Sequence, residues 1–169
     1  MGMVIEYARL RPDETLTVRR LLDADPEQAF EYIEQLGIWM ADDDAGATPR
    51  GLDLDKAWDG IRYLLDRAGP PPVDIIGGGD VISDEPWGYD APRLLSPAEV
   101  AAAARFLQAT PFDRLAAHFD PEKLTAAGVY PDIWEHDDAL EYLAGWYQPL
   151  VEFVIAAADQ GDGMLVRLT

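Results

Sequence analysis

Hydrophobic positions divide the chain into strand-like patterns at both ends and helical patterns between them. Residues 3–10 alternate and are rich in β-branched and aromatic side chains, which predicts a strand. Residues 164–168 predict a second strand, and residues 93–95 a short third one. We expect the two terminal strands to pair. This predicts an α+β fold with a small mixed sheet that includes the N- and C-terminal strands and is covered by about six to seven helices.

Capping residues and the helical period place the helices. Proline follows a capping residue at Asp25, Ser96, Thr110 and Asp120, which predicts a helix start at each position. The longest helix is predicted over residues 137–159, because its apolar side chains keep the 3.6-residue period throughout. The helix after Asp25 is predicted to bury a face formed by Ala29, Phe30, Ile33 and Leu36.

The most distinctive segment is the charged stretch around Trp58. Asp53 is predicted to cap a helix, so that Asp55 and Asp59 lie four residues apart on one helical face, with Arg62 about one turn further. Such a carboxylate pair in a cleft would suit acid–base chemistry or cation binding. The structural alternative, which we favour, is a capped helix that buries Trp58, with Asp55 or Asp59 hydrogen-bonding a neighbouring loop.

Acidic residues strongly outnumber basic ones, which restricts the possible partners. Asp and Glu total 32 against 13 Lys and Arg, a formal net charge of −19. This charge repels phosphate backbones and anionic lipids, so nucleic-acid and membrane binding are disfavoured, whereas basic proteins are attracted. The alternative is that the acidity only maintains solubility, or reflects a GC-rich genome or salt adaptation. The abundance of Ala, Gly, Pro, Arg and Asp, and the absence of Asn, favour that alternative.

Candidate groups for catalysis and metal binding are few. The absence of cysteine excludes disulfides, thiolate zinc sites and cysteine nucleophiles. Glycines 77–79 lack the spacing of a phosphate-binding loop. Residues 135–138 could supply metal ligands, but residues adjacent in the sequence do not face one another on a helix. Aspartates 42–44 do not match the pattern of a calcium-binding loop. We therefore predict no catalytic residue, metal or cofactor.

The chain is predicted to form a single cytoplasmic domain over residues 1–169. Its hydrophobic content of 49% suffices for one core, and no linker or repeat divides it. The first residues lack the basic and apolar regions of a signal peptide. No apolar run approaches the roughly 20 residues that span a bilayer.

The charged stretch resembles the YfbM-like family of uncharacterised bacterial proteins, which is a domain-of-unknown-function family. The matching pieces are residues 1–3 with Tyr7, the run Leu52-Asp53-x-Asp55-Lys56-x-Trp58-Asp59, residues 73–78, Tyr130-Pro131 and the terminal apolar strand. The resemblance implies an α+β fold with both chain ends in the sheet, and it implies no established activity. Related sequences often carry a histidine one turn after the tryptophan, where this chain has Arg62.

Two functions of different classes are compatible with these observations. We favour a non-catalytic interaction protein whose acidic surface binds a basic partner, for example an immunity-type protein that blocks a cationic toxin. The alternative is a small-molecule binder or hydrolase with a cleft around the predicted helix, where Trp58 would stack on the ligand. The candidate ligand- or partner-binding residues are Asp53, Asp55, Lys56, Trp58, Asp59, Arg62 and Tyr130.

Overall fold

The computed structural model describes residues 2–39 and 49–169, and these residues form five strands and seven helices. The strands are Ile5–Leu10 (β1), Gly51–Asp53 (β2), Asp80–Val81 (β3), Arg93–Leu95 (β4) and Gly163–Leu168 (β5). The helices are Pro12–Ala24 (α1), Pro26–Leu36 (α2), Trp58–Ala68 (α3), Pro97–Gln108 (α4), Phe112–Ala116 (α5), Pro121–Ala126 (α6) and Ala139–Asp159 (α7). The predicted α+β class and number of helices are confirmed.

The terminal strands form the centre of the sheet. The strand order is β2-β1-β5-β4-β3, and β1 pairs with β5 over its whole length, from Ile5 opposite Leu168 to Leu10 opposite Gly163. The predicted pairing of the chain ends is therefore confirmed. Each neighbouring pair of strands is antiparallel, where a mixed sheet was predicted. The alternation within a strand indicates which residues face the core, but it carries no information on the direction of the neighbouring strand.

Helices cover both faces of the sheet. Successive side chains of β1 point to opposite faces, and the residues on each face are buried in a core. Ile5 and Tyr7 of β1 contribute to a larger core with α3, α4, α5, α6 and α7. Ala8 and Leu10 contribute to a smaller core with α1 and α2. The longest helix, α7, begins at Ala139, two residues after the predicted start. Among the described residues, no helix is both long enough and apolar enough to cross a membrane.

The predicted helix start at Asp53 is wrong. Asp53 is the last residue of β2, and α3 begins at Trp58. Between them, Asp55 has a φ of 48°, a left-handed conformation that cannot continue into a right-handed helix. The Asp53 carboxylate accepts a hydrogen bond from the Asp55 backbone N–H, which stabilises a turn in place of a helix cap. Asp55 and Asp59 consequently do not share a helical face.

The predicted inner face of α2 is too wide. Ala29 and Ile33 are buried, one turn apart, as expected. Phe30 is 41% exposed, and Leu36 is half-buried. Tyr32 and Leu36 pack against the same core as Ile33, so the buried stripe of α2 follows positions 29, 32, 33 and 36, and Phe30 lies to the side of it. The prediction for Phe30 was therefore wrong, and an aromatic side chain lies at the surface.

Two short strands, β2 and β3, were not predicted. Two or three residues are too few to show an alternating pattern, and these strands form only through their pairing with β1 and β4. The aspartates at positions 42–44, considered above for calcium binding, lie outside the described residues.

Candidate functional site

The predicted site residues lie around one junction between the N-terminal residues, the start of α3 and the start of α7. The junction consists of Met3, Asp55, Lys56, Trp58, Asp59, Tyr130 and Tyr142. Asp53 lies at its exposed edge, and Arg62 lies one turn along α3. The structure thus brings together residues that are far apart in the sequence.

Tyr142 of α7 fixes the turn before α3. Its hydroxyl donates a hydrogen bond of 2.8 Å to Asp55 Oδ2 and accepts one of 3.2 Å from the Lys56 backbone N–H. Burial raises the pKa of Tyr142, and the hydrogen bond to the Asp55 carboxylate raises it further. Asp55 is therefore engaged by a side chain of this protein, and its left-handed backbone is held in place.

Trp58 and Tyr130 fix the N-terminal residues. Trp58 Nε1 donates a hydrogen bond of 3.0 Å to the Met3 carbonyl, and the Met3 N–H donates one of 2.9 Å to the Tyr130 hydroxyl. The two aromatic rings pack with their centroids 5.9 Å apart. Trp58 is only 8% exposed, so most of its ring surface is covered by the protein and unavailable for stacking on a ligand.

Asp59 connects α3 to the segment that precedes α7. The carboxylate is buried, accepts a hydrogen bond of 2.9 Å from the Tyr130 N–H through Oδ2, and forms an ion pair with Arg62 through Oδ1. The Arg62 guanidinium also lies over the Trp58 ring, 5.6 Å from its centroid. Both oxygens of Asp59 therefore have partners within the chain.

Asp53 keeps an exposed carboxylate beside the junction. Partial burial raises the pKa of Asp53, and the nearby carboxylates of Glu6 and Asp55 add to this effect. The hydrogen bond from the Asp55 N–H acts in the opposite direction. The predicted carboxylate pair is not formed, because Asp55 and Asp59 point to different partners. As a whole, the junction has the properties of a structural hydrogen-bond network.

A cavity of about 160 Å³ lies beside the junction. Trp58 and Arg62 line it from α3, and Arg167 lines it from β5. Asp90 and Arg93 line it from the segment before and into β4. We call it the arginine cavity.

A larger groove of about 680 Å³ lies between α2 and residues 83–88, and we call it the α2 groove. Phe30 and Trp87 meet there edge-to-face, with ring centroids 5.0 Å apart. Glu27, Glu34 and Glu85 also line the groove, and all three are exposed. The groove therefore combines an aromatic surface with carboxylates, a composition that attracts cationic side chains.

Comparison with known proteins identifies the family of the chain. A family model described as a domain of unknown function, DUF1877, matches residues 1–167. The chain belongs to the DUF1877 family. It is also similar to the crystal structure of YfbM from Escherichia coli, a protein of unknown function, with a TM-score of 0.62 and 17% sequence identity. That match covers 98% of this chain and 99% of YfbM.

These matches confirm the resemblance to YfbM-like proteins, and at this identity the structural match shows the fold alone. No curated protein matches this DUF1877 chain. In residues 2–39 and 49–169, no group of three or more His, Cys, Asp or Glu side chains is placed to bind a metal ion.

Sequence reasoning missed Tyr142 and the aromatic surface of the groove. Tyr142 lies beside the apolar stripe of α7, so the period of the helix gives no reason to single it out. The helical spacing of the apolar residues in α2 predicts Phe30 in the core, so it gave no sign of a surface aromatic residue. Trp87 lies in an irregular segment rich in Pro, Gly and acidic residues. The signal that could have pointed to a surface site there is a large aromatic residue that belongs to no helical or strand pattern.

Proposed function

We propose that this DUF1877 protein is a non-catalytic interaction protein that binds a basic partner in the α2 groove. The observation that supports the proposal is the composition of the groove, in which Phe30 and Trp87 lie next to three exposed glutamates. The proposed compartment is the cytoplasm, where disulfides are rare, and the sequence contains no cysteine that could form one.

The charge of α2 favours a cationic partner. The helix carries Glu27, Glu31 and Glu34 on its exposed side and contains no Lys or Arg. Like charges three or four residues apart destabilise a helix slightly, and a basic partner would remove this repulsion. Arg167 also lines the groove, but its Nε donates a hydrogen bond of 2.7 Å to Glu6 Oε2, and its guanidinium lies over the Trp39 ring.

The aromatic surface adds specificity for long basic side chains. The methylene groups of Lys or Arg pack on aromatic rings, while the charged group reaches nearby carboxylates. Phe30 is 41% exposed and therefore offers such a surface, and Glu27 and Glu34 lie on either side of it along α2. We infer that the partner presents a segment with at least one Arg or Lys that enters the groove.

The alternative, a small-molecule binder or hydrolase at the Asp55–Asp59 segment, has less support. Asp55 accepts a hydrogen bond from Tyr142, and Asp59 accepts one from the Tyr130 N–H. Trp58 is almost fully buried. A reaction at these carboxylates would first have to break the contacts that hold the N-terminal residues and α7 in place.

The test compares two triple variants with the same change in charge. The groove variant combines Glu27→Gln, Glu34→Gln and Glu85→Gln. The control variant combines Glu122→Gln, Glu135→Gln and Glu141→Gln, three exposed glutamates that do not line the groove. Binding of a fluorescent peptide with alternating Arg and Leu residues is measured by anisotropy for both variants and for the unmodified protein, at low and moderate salt.

We expect the groove variant to bind the peptide at least about tenfold more weakly, a loss of about 1.4 kcal/mol in binding free energy. The control variant should lose less than about 0.7 kcal/mol. Binding should also weaken as salt increases. Equal losses in both variants would show that only the overall charge matters. Binding that is independent of salt would contradict the proposal.

A further inference from the structure

The arginine cavity is unusual for so acidic a chain. Arg62, Arg93 and Arg167 all line this one space, although the chain has only 13 basic residues against 32 acidic ones. The three residues come from α3, β4 and β5, so tertiary structure brings them together. A site where cations converge against the overall charge balance is a candidate for anion binding.

The three arginines retain hydrogen-bond donors for a ligand. Arg93 forms an ion pair with Asp90, but the 3.7 Å between Arg93 Nη2 and Asp90 Oδ2 is too long for a hydrogen bond. Among the described residues, the Arg93 side chain donates no hydrogen bond. Arg167 donates to Glu6 through Nε, and Arg62 pairs with Asp59 through Nη2. Since a guanidinium has five N–H donors, donors remain on each arginine.

The other walls of the cavity are apolar. Ile5, Ile76, Val166 and Leu168 line it together with Trp58, of which 8% is exposed. A cavity of about 160 Å³ holds a molecule with on the order of ten non-hydrogen atoms. An inorganic anion such as phosphate would leave the exposed parts of these walls in contact with water. An organic anion with an apolar body would cover them.

We propose that the arginine cavity binds a small organic acid, with its carboxylate on Arg93 and its apolar body against Leu168 and the small exposed part of Trp58. The carboxylate would take the position beside Arg93 that the exposed Asp90 approaches only to 3.7 Å. A single negative charge fits the site better than a phosphate dianion, because Asp59, Asp90 and Glu6 already lie close to the three guanidinium groups. This site is separate from the α2 groove, although Arg167 lies between the two.

The test uses titration calorimetry with benzoate, hexanoate, inorganic phosphate and benzylamine. We expect benzoate or hexanoate to bind with a dissociation constant of about 1 mM or tighter, while phosphate and benzylamine do not bind. Arg93→Gln should weaken carboxylate binding at least about tenfold, and Arg93→Lys should restore part of it. The matched control is Arg105→Gln, an exposed arginine of α4 that does not line the cavity and should leave binding unchanged.

A second variant keeps the test valid if Arg93→Gln does not fold. Ala91→Leu places an apolar side chain into the cavity without removing an arginine, and it should also abolish binding. The proposal is overturned if no carboxylate binds the unmodified protein, or if binding is the same in Arg93→Gln and Ala91→Leu as in the unmodified protein. Binding of phosphate and carboxylates with equal affinity would show a general anion site and would overturn the assignment to organic acids.

Discussion

The junction before α3 and the α2 groove contain similar residues in opposite situations. Both combine carboxylates with aromatic rings. In the junction, the Asp55 and Asp59 carboxylates accept hydrogen bonds from Tyr142 and Tyr130, and Trp58 is buried. In the groove, Glu27 and Glu34 are exposed, and the described part of the chain provides no hydrogen-bond donor to either side chain.

The difference shows that a distinctive sequence motif and a binding surface need not coincide. The polar groups of the junction are already paired with each other, so their hydrogen bonds stabilise the folded protein. Those of the groove are paired with water and can exchange it for a partner at little cost to the fold. The comparison therefore predicts large effects on stability and small effects on binding in the junction, and the reverse in the groove.

The largest effect is expected for Asp59→Ala. The substitution leaves the Tyr130 N–H without its acceptor and Arg62 without its ion pair, and we expect the free energy of unfolding to fall by about 2–3 kcal/mol. Urea unfolding measures the change. The control is Asp66→Ala, an exposed aspartate of the same helix, with an expected change within about 0.5 kcal/mol. Similar losses for both variants would mean that the junction carboxylate has no special role.

A smaller loss is expected for Tyr142→Phe. The variant keeps the ring but removes the hydroxyl that bonds Asp55 Oδ2 and the Lys56 N–H, which should cost about 1.5 kcal/mol of unfolding free energy. Tyr89→Phe, at an exposed tyrosine, is the matched control. An unchanged stability of Tyr142→Phe would remove Tyr142 from the network.

The stability lost in Tyr142→Phe should depend on pH, which tests the role of the Tyr142 hydroxyl. The pKa of Tyr142 is raised in the folded protein, so the stability that its hydroxyl provides is fully present below about pH 10, the ordinary tyrosine pKa, and declines as the pH rises above it. The difference in unfolding free energy between the unmodified protein and Tyr142→Phe should decrease by less than about 1 kcal/mol per pH unit, since the side chain is only half-buried. Unfolding curves at pH 8, 10 and 11 test this; a difference that grows above pH 10 would contradict the raised pKa.

The smallest effect on stability is expected for the groove variant with Glu27→Gln, Glu34→Gln and Glu85→Gln. Its unfolding free energy should stay within about 0.5 kcal/mol of the unmodified protein, or rise slightly, because the repulsion between Glu27 and Glu31 is removed. Thermal unfolding followed by circular dichroism measures it. A fall in unfolding free energy of more than about 1 kcal/mol would show that these glutamates stabilise the fold, as the junction carboxylates do.

Much of the fold follows from local patterns, whereas the site does not. The strand alternation in β1 and β5 and the Asp-Pro and Ser-Pro starts of α2, α4 and α6 are properties of a few neighbouring residues, and they were predicted correctly. The start of α3 was not, because the same aspartate that can cap a helix can also close a turn. Asp53 does the latter, and the contact that decides it, from Tyr142 to Asp55, lies 87 residues away in the chain.

The sequence by itself determined the α+β class, the pairing of the terminal strands, the positions of most helices and the net charge of −19. These properties follow from hydrophobic period, capping chemistry and composition, which act over short distances along the chain. Only the tertiary structure decided which partners engage Asp55 and Asp59, that Phe30 is exposed next to Trp87, and that three arginines meet at one cavity. The physical reason is that exposure and hydrogen-bond partners depend on which distant segments pack together, and no local pattern records that packing.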